Sequence, residues 1–70
     1  MIRNPIASTN ILSAGYDESS ETLEVEFLSG SVYQYYNVPI SIFDAFRNSG
    51  SKGQFLHAYI KNAYPYSRVG

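Results

Sequence analysis

Residues 22–27, Thr-Leu-Glu-Val-Glu-Phe, alternate between apolar and acidic side chains more regularly than any other part of the chain. Because successive side chains of a β-strand point to opposite faces of its sheet, this pattern predicts a strand with one buried and one solvated face. The two faces would carry Leu23, Val25 and Phe27 on the buried side, and Glu24 and Glu26 on the solvated side. We interpret the two glutamates as a solvated strand face rather than as a general acid–base pair.

The next predicted strand, residues 31–38, is joined to the first by a turn whose length decides which side chains are buried. A two-residue turn at Ser29-Gly30 would place Gln34 in the core. A three-residue loop, Leu28-Ser29-Gly30, with the glycine in the left-handed conformation would move every side chain of the strand to the opposite face of the sheet. We favour the three-residue loop, because a glycine at its third position is typical of such turns.

This choice of loop fixes the facing of three closely spaced tyrosines. It predicts the cross-strand pairs Val25–Tyr33, Leu23–Tyr35 and Glu24–Gln34. Tyr33 and Tyr35 would then pack on the apolar face of the sheet, while Tyr36 points the other way and is the freer ring. Tyrosines at such positions are either core and interface residues or platforms on which a flat ligand stacks.

Two short helices are predicted after the second of these strands. Pro39 suits the first position of a helix, and an apolar stripe at helical spacing continues to a stop near Asn48. Ser51 is placed to cap a second helix, which Pro65 ends. The apolar face predicted for the second helix comprises Phe55, Leu56, Tyr59, Ile60 and Ala63.

Together with a further strand over residues 11–16, these elements predict an α+β fold. It is a three-stranded antiparallel meander followed by two short helices packed on one face. We expect residues 1–10 to form an extended N-terminal arm, residues 11–66 a single domain, and residues 67–70 a C-terminal tail. The segment 66–69 either pairs as a strand or lies free.

Composition limits the classes of partner. Seven tyrosines and four phenylalanines are many rings for one core of 70 residues without cysteine, so we expect a homo-oligomer. The formal net charge is −1, which lacks the basic excess typical of polynucleotide binders. No apolar run is long enough to span a membrane, and residues 1–5 do not form a signal peptide, so we expect a soluble cytoplasmic protein.

Catalytic, metal-binding and cofactor-binding motifs are not found in the sequence. His57 is the only histidine, and neither a catalytic triad nor a metal-ligand set is available. The segment Asn48–Phe55 has two glycines and two serines at the start of the second predicted helix. Free N–H groups and the helix dipole at such an N-terminus favour an anion. Ser51, Lys52 and Gly53 are therefore either an anion site or an ordinary turn with an N-cap.

Several motifs together resemble the KTSC domain family, which occurs at the C-terminus of some lysyl-tRNA synthetases and as small stand-alone proteins of bacteria and phages. They cover roughly residues 8–66: Leu23-x-Val25-x-Phe27-x-x-Gly30-x-x-Tyr33-x-Tyr35, Val38-Pro39, Ser51-Lys52-Gly53-x-Phe55, Ile60 and Tyr64. The resemblance implies the family's fold and no recognised catalytic residues. It also implies the RNA binding suggested by the synthetase context.

The leading hypothesis is a non-catalytic homo-oligomer that binds a nucleotide-type small molecule, by analogy with phage proteins that sequester nucleotide immune signals. Tyrosine rings would stack on the base, and the second helix N-terminus would hold phosphate. The candidate binding residues are Tyr33, Tyr35, Tyr36, Ser51, Lys52, Gly53, Arg47 and Arg68.

Two alternatives remain open from the sequence. One is a single-stranded RNA or tRNA-binding module, which would use the same tyrosines with the late cations Arg47, Lys52, Lys61 and Arg68. The other is a protein–protein adaptor with Tyr36 and the segment Tyr64-Pro65-Tyr66 as contacts.

Overall fold

The computed structural model describes all 70 residues and shows a five-stranded antiparallel sheet whose strands are neighbours in chain order. The strands are β1 (Asn4–Pro5), β2 (Ile11–Asp17), β3 (Thr22–Phe27), β4 (Val32–Tyr35) and β5 (Tyr66–Arg68). The α+β class is confirmed, and the three-stranded meander forms the centre of the sheet. The predicted number of strands is wrong, because both terminal segments add a strand at an edge.

Neither edge strand has a period-two pattern long enough to be recognised from the sequence. β1 contains only two residues, both exposed, and pairs Asn4 with Ala14 and Pro5 with Ser13. β5 contains three exposed residues and pairs with β4. A proline within or just before each strand lowers the strand signal further, since proline cannot donate a ladder hydrogen bond.

The β3–β4 hairpin has the predicted three-residue loop. Gly30 takes a φ of 96°, and the Phe27 N–H donates to the Ser31 carbonyl at 2.9 Å. The resulting cross-strand pairs are those predicted: Leu23–Tyr35, Glu24–Gln34 and Val25–Tyr33. The register of the central hairpin is therefore confirmed.

β4 is shorter than the predicted strand 31–38 because the chain turns away after Tyr35. Asn37 adopts a left-handed φ of 61°, which a strand cannot accommodate. The Tyr36 N–H donates instead to the Pro65 carbonyl at 2.8 Å. The bend directs the chain towards the first helix.

Helix α1 (Ile40–Arg47) packs on one face of the sheet. Pro39 is its N-cap, with an extended ψ of 153°, rather than the first helical residue as predicted. The Phe43 ring stacks on Tyr16 of β2 at a centroid distance of 4.6 Å. The Tyr16 hydroxyl donates to the Val38 carbonyl at 2.5 Å. Burial raises the pKa of Tyr16, with nearby carboxylates, Glu21 first among them, adding to the effect.

The second helix begins as α2 (Lys52–Phe55) and continues as a π-helical segment, Leu56–Ile60. The Lys61 N–H donates to the Leu56 carbonyl, five residues back, at 2.8 Å. This wider turn changes which side chains face the sheet. Leu56 and Ile60 are buried as predicted, but Tyr59 and Ala63 are exposed, so their assignment to the buried face is wrong.

The core lies between the sheet and the helices, on the face of the sheet that we call the covered face. Its buried members are Ile11, Ala14, Leu23, Val25, Tyr35, Val38, Phe46, Leu56 and Ile60. Tyr33 and Phe27 pack against this cluster from its margin. No helix of the chain is both long and apolar enough to cross a lipid bilayer.

Candidate functional site

A cavity of about 350 Å³ lies on the covered face, between β4 and β5 on one side and Lys61, just after the end of the second helix, on the other. We call it the tyrosine groove. Its walls combine aromatic rings with polar groups, principally Phe27, Tyr33, Tyr35, Tyr66, Asn10 and Lys61. Its volume is within the range of small-molecule sites, roughly 300–1,000 Å³.

Strand register brings the three tyrosines together. Tyr35 is paired with Tyr66 across β4 and β5, while Tyr33 lies two residues from Tyr35 on the same face. The centroids of Tyr33 and Tyr66 are 5.9 Å apart, and those of Tyr35 and Tyr66 are also 5.9 Å apart. The rings therefore form one continuous aromatic surface at the edge of the core.

The depth of each ring in the groove differs. Tyr35 is only 2% exposed and forms the floor, whereas Tyr66 is 57% exposed and forms the rim. Burial raises the pKa of Tyr35 to about 12, and the neighbouring Tyr33 and Tyr66 add to the shift. Tyr35 therefore keeps its proton at neutral pH, and the accessible stacking surface comes from Tyr33 and Tyr66.

A second, larger cavity of about 710 Å³ lies between the N-terminal arm and the start of α2. We call it the polar groove; its lining includes Ser8, Asn10, Ser51, Lys52, Gly53 and His57. The Gly53 Cα packs so closely on the arm that a Cβ there would lie 2.5 Å from the Asn10 Oδ1 atom. Lys52 donates through Nζ to the Ser49 carbonyl at 3.1 Å, within its own loop.

The predicted binding residues are thus divided between two cavities. Tyr33 and Tyr35 line the tyrosine groove, whereas Ser51, Lys52 and Gly53 line the polar groove. The two linings share Asn10. A ligand confined to one groove contacts only one of these sets.

Arg47 and Arg68 lie outside both linings. Arg47 donates through Nη2 to the Asp44 carboxylate at 2.8 Å and lies over the Phe43 ring at 5.8 Å. Arg68 is exposed on β5, and its Nε atom donates to the Gly70 carbonyl at 2.8 Å.

Tyr36 reaches the uncovered face of the sheet, opposite the groove. Its hydroxyl donates to the Gln34 Oε1 atom at 3.2 Å and is also hydrogen-bonded to the Ser67 hydroxyl. The direction predicted for this ring is confirmed, but its hydroxyl is held between two strands rather than free.

Among the groove residues that the sequence does not assign to the ligand site are Tyr66, its third tyrosine, and Lys61, the cation of its lining. The sequence indicates Tyr66 only as an adaptor contact and Lys61 only as an RNA contact. The available signal was the tail itself, since a strand pairing residue 66 with residue 35 places a third ring beside the other two. The position of Lys61 depends on the π-helical turn, for which the sequence offers no signal.

Comparison with known proteins agrees with this architecture. The family model of the KTSC domain matches residues 7–64. The crystal structure of a KTSC domain protein from Yersinia pestis superposes with a TM-score of 0.95 at 36% identity, covering 99% of this chain and 97% of that one.

Sequence relatives are of two kinds. A protein of Stutzerimonas stutzeri is 36% identical over 70 residues, with 99% of both chains covered. A lysine–tRNA ligase of Trichormus variabilis is 41% identical over 54 residues, which are 77% of this chain but 10% of the ligase. The match thus spans about a tenth of the ligase's length. The family model, the solved structure and the full-length relative together show that the chain belongs to the KTSC domain family.

Proposed function

We propose that this protein is a non-catalytic binding protein that holds a nucleotide-type small ligand in the tyrosine groove. The observation that carries the proposal is the grouping of three tyrosines and one lysine around a cavity of about 350 Å³. Four of the eight residues that line it are aromatic and four are polar. Small-molecule sites typically combine such apolar surface with a few polar groups that orient the ligand.

Each part of the groove has a role in this proposal. The base stacks on Tyr66 and Tyr33, and stacking on an aromatic side chain contributes about 1–3 kcal/mol per base in single-strand binders. Lys61 binds the phosphate, while the Asn10 side chain offers hydrogen bonds at the boundary with the polar groove. A mononucleotide needs few cations, so a net charge of −1 is compatible with binding.

Isothermal titration calorimetry with AMP, ADP, GMP and GDP tests this function. We expect Tyr66→Ala to weaken binding about tenfold or more, the loss of one stacking platform. Lys61→Ala should weaken it about fivefold or more, the scale of a charge-assisted hydrogen bond. Tyr59→Ala is the matched control, because Tyr59 is 61% exposed but lies outside the tyrosine groove.

The proposal fails if none of the four nucleotides binds with a dissociation constant below about 1 mM. It also fails if Tyr66→Ala and Tyr59→Ala weaken binding equally, because the groove would then have no special role. Far-ultraviolet circular dichroism of each variant checks that the fold is retained.

The lysine–tRNA ligases give specific support to a second candidate, single-stranded RNA binding. In that case bases stack on the same tyrosines, while phosphates along the strand contact the four late cations Arg47, Lys52, Lys61 and Arg68. With about four phosphate contacts, raising salt fourfold lowers single-strand affinity roughly 50-fold. Fluorescence anisotropy with an RNA dodecamer at 50 and 200 mM salt distinguishes this steep loss from the smaller one expected for a nucleotide.

A further inference from the structure

The outer edge of β5 is the feature from which we draw a further inference. β5 is the last strand in the sheet order, and its flanking residues show which way its backbone groups face. The Pro65 carbonyl accepts from the Tyr36 N–H at 2.8 Å, and the Val69 N–H donates to the Val32 carbonyl at 2.8 Å. Residues 65 and 69 therefore direct their hydrogen-bonding groups towards β4.

The direction of the backbone groups of residues 66–68 follows from these two bonds. Backbone groups of an antiparallel strand point to alternate sides, so Ser67, which is paired with Gln34, also bonds towards β4. The N–H and carbonyl groups of Tyr66 and Arg68 consequently point outwards, where the chain has no further strand. The edge offers two complete pairs of donors and acceptors to another strand.

We propose that a second copy of this chain pairs with β5, antiparallel and two-fold symmetric, with Ser67 opposite Ser67 of the second copy. Each Tyr66 then faces Arg68 of the second copy. The two Tyr66–Arg68 pairs exchange about four backbone hydrogen bonds in total. The two-fold axis is perpendicular to the sheet, so the covered faces of both copies lie on the same side.

Other two-fold registers would also pair the outward-facing N–H and carbonyl groups of β5. The side chains that each register places opposite one another favour the one centred on Ser67. A pairing centred on Arg68 would put two arginines opposite each other, which like-charge repulsion disfavours. A pairing centred on Tyr66 would put Arg68 opposite Tyr64, which lies outside β5. The register centred on Ser67 places a guanidinium across from a tyrosine ring, a favourable cation–π arrangement.

The residues flanking the pair also fit a second copy of the chain. In this register Pro65 faces Val69 of the second copy, an apolar contact on each side of the axis. The missing N–H of Pro65 does not weaken the new ladder, because position 65 bonds towards β4. The segment is therefore complementary to itself, which identifies the occupant as a second copy rather than an unrelated strand.

The dimer also changes the site, in a way that rests on the proposed function. Tyr66 forms the rim of the tyrosine groove, so Arg68 of the second copy lies at that rim. Each groove then has a cation from each copy, Lys61 from its own and Arg68 from the other. A phosphate held there would have contacts from both chains.

Cysteine crosslinking tests the register directly, because the native chain has no cysteine. In the proposed dimer residue 67 faces its own copy in a non-hydrogen-bonded pair, about 4.5 Å apart at Cα. We expect Ser67→Cys to form a disulfide dimer of twice 7.8 kDa under mild oxidation. Ser41→Cys, on the exposed surface of α1, is the control and should crosslink far more slowly.

Sedimentation equilibrium between about 10 μM and 1 mM tests the dimer itself. We expect a wild-type dimer, and a dissociation constant raised about tenfold or more by Arg68→Glu, which removes both cation–π contacts. Arg47→Glu makes the same charge change on α1, outside both grooves and away from β5, and should leave the dimer unchanged. A monomeric wild type, equal effects of the two variants, or equal crosslinking of the two cysteine variants would each overturn the proposal.

Failure of the dimer and failure of nucleotide binding are distinguishable. A dimer that crosslinks through residue 67 but ignores all four nucleotides supports the β5 pairing and removes the proposed function. A monomer that binds ADP keeps the proposed function and overturns the pairing. A dimer in which Arg68→Glu also weakens ADP binding supports both.

Discussion

The two faces of the sheet use the same alternation of side chains but are stabilised in different ways. On the covered face, Leu23, Val25 and Tyr35 are buried beneath the helices. On the opposite face, which we call the polar face, Glu24 and Gln34 occupy the intervening positions and no helix covers them. The comparison shows that one strand can contribute apolar packing on one side and a hydrogen-bonded surface on the other.

Side-chain hydrogen bonds and ion pairs connect neighbouring strands across the polar face. Gln34 donates to Glu24 at 2.8 Å, and the Ser13 hydroxyl donates to Glu26 at 3.1 Å. Arg3 of the N-terminal arm lies over both glutamates, with nitrogen–oxygen distances of 3.4 Å to Glu24 and 3.7 Å to Glu26. Fixed polar pairs thus replace a second layer of packing.

The largest effect that separates the two faces should come from shortening one side chain on each. Tyr35→Ala removes a buried ring from the covered face and should lower the free energy of unfolding by about 3–5 kcal/mol. Gln34→Ala, at the adjacent position, removes the side-chain hydrogen bonds to Glu24 and from Tyr36 and should cost about 1–2 kcal/mol. Urea denaturation of the two variants measures the difference.

A domain of this size has a total stability of only about 4–10 kcal/mol, so Tyr35→Ala should be close to unfolded. Equal losses for the two variants would contradict the comparison, because the covered face would then not be the main source of stability. Tyr33→Ala serves as an intermediate case, since that ring is only partly buried at the margin of the core.

The stability of the protein at alkaline pH tests the burial of Tyr35 on the covered face without removing its ring. Burial holds the pKa of Tyr35 at about 12, above the value near 10 of an unfolded tyrosine. The stabilisation from the neutral phenol is therefore complete below pH 10 and is lost as the pH rises towards 12. Between about pH 8 and pH 11.5 the loss should amount to roughly 2 kcal/mol.

Tyr35→Phe provides the control, because it keeps the ring and cannot ionise. Urea midpoints of the wild type and the variant should therefore diverge above about pH 10, with the wild type falling faster. Parallel curves would contradict the burial of the hydroxyl. The other tyrosines are the same in both proteins, so the difference between the curves isolates residue 35.

The sequence predicts the centre of the fold well because local rules determine it. The alternation in β3 and the glycine in the following loop are sufficient to set the β3–β4 register, including the pairs of Tyr33 and Tyr35. The two edge strands depend on long-range pairing of short, proline-containing segments. Such pairing leaves no periodic pattern in the sequence.

The candidate site was predictable only in part, for the same reason. Tyr33 and Tyr35 follow from the hairpin register, whereas Tyr66 depends on the tail adding β5. Lys52 lies at the start of α2, as its sequence position indicates, but its amine bonds to its own loop. The distance of the polar groove from the tyrosines depends on how the helices pack, and local sequence does not determine that packing.

The smallest effect concerns the arm on the polar face. Arg3→Met should destabilise the protein by about 0.5–1 kcal/mol, and about 1 M salt should remove much of the difference. Arg47→Met is the matched control: its ion pair with Asp44 is shorter, 2.8 Å, but the two side chains are 61% and 46% exposed. In the Arg3–Glu24 pair the side chains are only 28% and 15% exposed. If burial rather than distance decides the strength of these pairs, thermal denaturation should show the larger loss for Arg3→Met. A larger loss for Arg47→Met would mean that the shorter distance, rather than burial, decides the strength of these two ion pairs.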